Sequence, residues 1–93
     1  MSDAPPVALA AKLAELSQRF VTRAADERAV LERAIADNNR VEIAHLAHKL
    51  AGNAGMFGQP EIGAAAFALE EAAETDTELG PAAGRLLSLL AAL

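Results

Sequence analysis

The chain has no cysteine, which excludes disulfides and thiolate metal centres and fits a reducing compartment. It also lacks any run of about 18 apolar residues, the length a helix needs to cross a bilayer. Its first residues, Met1-Ser2-Asp3-Ala4-Pro5-Pro6, place no basic stretch ahead of an apolar one. Neither a membrane span nor a signal peptide is expected, and the expectation is a cytoplasmic protein. Basic residues are scarce, 8 against 13 acidic, for a formal charge of -5. Such a balance repels a phosphate backbone, so nucleic acid is not an expected partner. There is no Gly-x-x-x-x-Gly-Lys-Ser/Thr loop, and 93 residues leave little room for an ATP site.

What the chain has is alanine and leucine, which supply most of its 53% hydrophobic residues. Both are strong helix formers, and a chain of this length makes one small domain, taken as residues 1–93. Pro5 and Pro6 suit a first helical turn, and Leu9, Leu13, Leu16 and Phe20 follow at helical spacing. The stripe lapses at Ala25-Asp26-Glu27-Arg28 and resumes with Val30, Leu31, Ala34 and Ile35. Either one long helix shifts its buried face there, or a short helix gives way to a second. Asp37-Asn38-Asn39 reads as a turn, Gly58-Gln59-Pro60 as a second break, and Thr75 to Gly80 as a third. Ile62, Ala66, Leu69 and Ala73 mark one further helix; Leu79, Leu86, Leu89, Leu90 and Leu93 mark the last, which tolerates Pro81 near its start. Short connections favour antiparallel neighbours. The expected fold is all-α: an antiparallel up-down four-helix bundle, with or without a short additional N-terminal helix.

The segment between the first two breaks carries the chemistry. A helix advances about 100° per residue, which puts Ile43, Leu46, Ala47, Leu50, Ala54 and Phe57 in one sector, the core face. His48 falls roughly 150° from the middle of that stripe, with His45, Gly52, Gly55 and Met56 also on the far side. His48 should therefore reach solvent. Each glycine in a helix interior costs about 1 kcal/mol relative to alanine. Two of them beside an exposed histidine suggest a surface kept low for an approaching partner; otherwise they mark a fraying helix end.

His48, Leu50, Gly52 and Gly58 resemble the pattern of the histidine-containing phosphotransfer (HPt) domain, His-x-Leu-Lys-Gly with a further glycine ten residues after the histidine. The resemblance implies a four-helix phosphorelay intermediate rather than an enzyme. His48 would be the phosphoacceptor, phosphorylated and dephosphorylated by partner proteins, with no cofactor of its own. Those partners would be receiver domains of response regulators or of hybrid histidine kinases, which hold the phosphoryl group on an aspartate with Mg²⁺. It also implies a polar side chain on the next helix, twenty-two residues after the histidine, and Glu70 stands there. A carboxylate at that point would hold one ring nitrogen as a donor and leave the other free to attack phosphorus. Taken alone, Glu70 is equally a solvated carboxylate of the acidic group Glu70, Glu71 and Glu74. The surface around the ring, His45, Lys49, Ala51, Gly52, Gly55 and Met56, would meet the partner, and the chain would act as a monomer.

One departure is plain: where the family usually has lysine, this chain has Ala51. Lys49, Arg19, Arg23 or the partner itself would then supply positive charge. Two other readings compete. Glu42-Ile43-Ala44-His45 has the Glu-x-x-His spacing of di-iron bundles, but such a site needs a second copy and the chain has 2 histidines in all, both off the apolar stripe. Alternatively, the chain is a non-catalytic helical interaction module, with Met56 and Phe57 as its docking surface and His48 incidental.

Overall fold

Four helices follow one another in the computed structural model, which describes residues 6–93: α1 (Pro6–Ala36), α2 (Arg40–Met56), α3 (Pro60–Glu74) and α4 (Gly80–Ala91). Pro6 opens α1, while the placement of Pro5 in the first turn lies outside the described residues. The question left open at Ala25–Arg28 resolves to a single helix of 31 residues, and its buried face does not shift. Phe20, Ala24, Leu31 and Ala34 are buried on one continuous stripe, and position 27 falls on the same stripe. The lapse is one polar residue: Glu27 is four-fifths covered, 3.9 Å from Arg23 on the preceding turn.

The breaks share one physical device. Asn38, Gly58 and Asp76 adopt φ of 52°, 76° and 58°, the left-handed conformation that ends a helix. In each case the next amide donates back to a carbonyl five residues earlier: Asn39 to Ala34 at 3.0 Å, Gln59 to Ala54 at 2.8 Å, Thr77 to Ala72 at 3.0 Å. Gly58 is therefore explained by backbone geometry, since L side chains avoid that region. Asn39 then starts α2, its Oδ1 accepting from the Glu42 amide at 3.2 Å.

With connections this short, sequential helices run antiparallel and pack side by side, and α1 meets α4 to close the ring. Leu31, Ile43, Leu50, Leu69 and Leu86 are the largest fully buried side chains, at least one from each helix. Each contributes about 1.5–3 kcal/mol by leaving water. Much of the remaining core is alanine, including Ala47, Ala54, Ala65, Ala66 and Ala73, so α2 and α3 can lie close. Gly63 marks a close approach: a Cβ there would sit 3.6 Å from the Ala51 carbonyl oxygen and 3.6 Å from the Gly55 nitrogen.

Leu46 and Phe57 are half-buried against the core, and the Phe57 ring lies 6.1 Å from that of Phe20, tying the end of α2 to α1. Phe57 is thus core rather than docking surface. Leu93, placed on the last stripe, is exposed because α4 ends at Ala91. At about 46 Å, α1 is far longer than α2 at about 25 Å. It projects past the bundle, leaving Val7, Leu9 and Leu13 exposed and stretching the molecule to 54 Å. No described helix is long and apolar enough to cross a membrane.

Candidate functional site: a histidine groove between α2 and α3

Ile43, Ala47, Leu50 and Ala54 are buried along one side of α2, which turns the opposite side outward. His48 is 74% exposed there. On α3, burial of Ile62, Ala66, Leu69 and Ala73 places Glu70 at the edge of the stripe, 16% exposed and facing α2. The two side chains meet: His48 Nδ1 lies 2.9 Å from Glu70 Oε2. An ionised carboxylate only accepts, so Nδ1–H donates to it. The neutral ring then carries its lone pair on Nε2, on an exposed side chain.

The groove around this pair is lined by Arg40, Val41, Ala44 and His45 from α2 and by Ala73 and Glu74 from α3. His45 shares the groove one turn before His48, and its ring makes no hydrogen bond among the described residues. Further along α2 the surface is bare: a Cβ at Gly52 or Gly55 would meet nothing within 4 Å. Met56 stands exposed at the end of the helix. Ala51, half-buried, packs against the core beside Gly63.

The cations considered as replacements for the family lysine lie elsewhere. Lys49 lines a separate cleft between α1 and α2, with Arg23, Asp26, Glu27 and Val30. Arg19 pairs with Glu15 at 2.9 Å on its own helix. Among the described residues no three histidine, aspartate or glutamate side chains converge as a metal would require.

Two residues of this region escaped the sequence reading. Phe67 is 60% exposed on α3, one turn before Glu70 and about 60° from it around the helix. It was legible as an aromatic well off the stripe of Ile62, Ala66 and Leu69, in a chain with 3 phenylalanines. Arg40 is the first residue of α2, where the positive end of the helix dipole disfavours a cation. That conflict was the available signal. Its guanidinium instead serves α3, donating to the carbonyl oxygens of Ala72 at 2.8 Å, Ala73 at 3.3 Å and Thr77 at 2.7 Å.

Comparison with curated proteins and with solved structures gives no significant match. The family model described as "Hpt domain" matches residues 15–93, which takes in all of α2, α3 and α4 and most of α1. It is a family of histidine phosphotransfer in phosphorelays, whose members act as phosphoryl intermediates with receiver domains. The bundle, the histidine groove and the matched length agree, and the chain belongs to the Hpt domain family.

Proposed function

We propose that this protein, acting as a monomer, relays a phosphoryl group between His48 and an aspartate of a receiver domain. The observation that carries the reading is the 2.9 Å contact between His48 Nδ1 and Glu70, made by a ring that is otherwise open to solvent. With Nδ1 held as a donor, Nε2 is the nucleophile. Its lone pair attacks the phosphorus of the receiver's aspartyl phosphate as a P–N bond forms and the P–O bond to aspartate breaks. The aspartate leaves as a carboxylate. The ring gains positive charge in this step, and the Glu70 carboxylate beside Nδ1 stabilises it. The reverse transfer runs through the same arrangement.

Glu70 orients, and the rest of the face admits the partner. Gly52 and Gly55 keep the surface low, and His45, Ala51, Met56 and, on α3, Phe67 are the residues expected to meet the receiver. Lys49 faces α1, so the positive charge that family members take from lysine at position 51 comes here from the receiver, together with its Mg²⁺. A phosphorylated receiver incubated with the chain is expected to yield an acid-labile, alkali-stable phosphoryl adduct. His48→Gln removes it, and His45→Gln retains it. An adduct that survives in His48→Gln would overturn the assignment.

A further inference from the structure

Small residues are prominent between α2 and α3: Ala47, Ala54, Ala65, Ala66 and Ala73 are buried beside the larger Ile43, Leu50, Ile62 and Leu69, and Gly63 lies against Ala51 and Gly55. Small side chains let helices approach but raise only shallow ridges, so they fix the separation of the axes better than the position of one helix along the other. A slide of about 1 Å would nevertheless be enough to break a hydrogen bond of 2.9 Å between His48 and Glu70. A directional polar contact between the two helices would hold the register more tightly than the small side chains do.

Arg40 is placed to do so. It belongs to α2, yet its Nη2 donates to Ala72 and Thr77 oxygens at 2.8 and 2.7 Å and its Nε to the Ala73 oxygen at 3.3 Å. The Asp76 carboxylate is a further 3.8 Å neighbour. Ala72 and Ala73 lie in the last turn of α3, where helix carbonyls carry partial negative charge, and Thr77 follows in the connection to α4; the Ala72 oxygen also accepts from the Thr77 amide. A planar guanidinium with donors in fixed directions reaches all three oxygens at once, which a point charge cannot do. The clamp sits in the same groove as His48 and Glu70, and the bonded carbonyls begin two residues beyond Glu70. Gly63 holds the two helices together on the other side of the pair, against Ala51 and Gly55.

We infer that Arg40 is a positioning residue for the phosphoacceptor: it locks α2 along α3 so that Glu70 holds His48 in the Nδ1–H form. The inference rests on the reading of His48 as nucleophile, but its first test does not. Nitrogen-15 chemical shifts of the His48 ring report directly which nitrogen carries the proton. Wild-type protein is expected to show Nδ1–H, and Arg40→Met, which keeps the length of the stem but has no donors, to lose that preference while retaining its helical circular dichroism. Transfer from a phosphorylated receiver should slow about tenfold or more, because misplacement of reacting groups by about 1 Å can cost on the order of 10²-fold.

The discriminating comparison is made in a Glu70→Ala background. If Arg40 acts through Glu70, adding Arg40→Met there slows transfer no further, since coupled residues are non-additive. Equal slowing in both backgrounds, or an unchanged His48 tautomer in Arg40→Met, would overturn the inference. Should Arg40→Met lose helix content, Arg40→Lys carries the same comparison with charge retained and the fork removed, and the same outcomes decide it. Failure of receiver phosphorylation in wild type would sink the relay reading and leave the tautomer result standing.

Discussion

His48 is chemically ordinary until Glu70 is considered. A histidine that is 74% exposed contributes little packing, so its role has to lie in what its two nitrogens do. The carboxylate of Glu70, mostly buried against α2, removes one nitrogen from competition and directs the other outward. Glu70→Ala is therefore expected to slow receiver-to-His48 transfer without abolishing it, with helix content and melting temperature nearly unchanged. Rapid-quench kinetics with a phosphorylated receiver would measure the change. An unaltered rate would return Glu70 to the role of a solvated carboxylate. Much of this was legible in advance: the helical wheel of α2 put His48 outside, and the resemblance to the HPt pattern, with its polar side chain twenty-two residues after the histidine, pointed to Glu70. The distance itself was not legible, because it depends on how closely α2 and α3 approach, a property of Gly63 and the alanines between them. Arg40 went unseen for the same reason, since its bonds are to the end of α3.

Among the elements, α2 combines opposed demands on its two faces. Ile43, Ala47, Leu50 and Ala54 bury one, and the other is kept bare at Gly52 and Gly55 at a cost to helix stability of about 1 kcal/mol each. Open space around Gly52 means a side chain fits there in the isolated protein. Gly52→Gln should accordingly be as stable as the parent or more so by several tenths of a kcal/mol, as read from thermal denaturation. It should fail to accept phosphate from a receiver, because the added side chain holds the two surfaces apart. A small phosphodonor needs no docking and should still label His48 in this variant. Undiminished transfer from the receiver would remove Gly52 from the docking face. The ends of α1, α2 and α3 were readable from their turn residues, whereas α1 as one helix was not. Glu27 breaks the apolar pattern on paper, but it is one polar residue on an otherwise continuous buried stripe, and its neighbours Ala24, Ala25, Arg28 and Ala29 are good helix formers that carry the helix through.

For the molecule as a whole, four helices around one core present His48 at the surface, and on the proposed reading they contribute little else to the chemistry. Three cations of the first two helices are engaged elsewhere: Lys49 lies in the cleft with α1, Arg19 pairs with its own glutamate, and Arg40, although it lines the groove of the ring, gives its donors to the carbonyl oxygens at the end of α3. The overall charge of -5 adds no attraction for a phosphoryl group. Such a scaffold fits a carrier that presents a nucleophile and takes its electrophilic assistance from whatever docks. Its central claim is that Glu70 assigns the two ring nitrogens of His48 separate tasks. The most direct test is phosphorus-31 and nitrogen-15 NMR of the chain after phosphorylation by a receiver. The phosphoryl group is expected on Nε2 of His48, with Nδ1 still protonated and hydrogen-bonded. A phosphoryl group on Nδ1 of His48, or on His45, would contradict it.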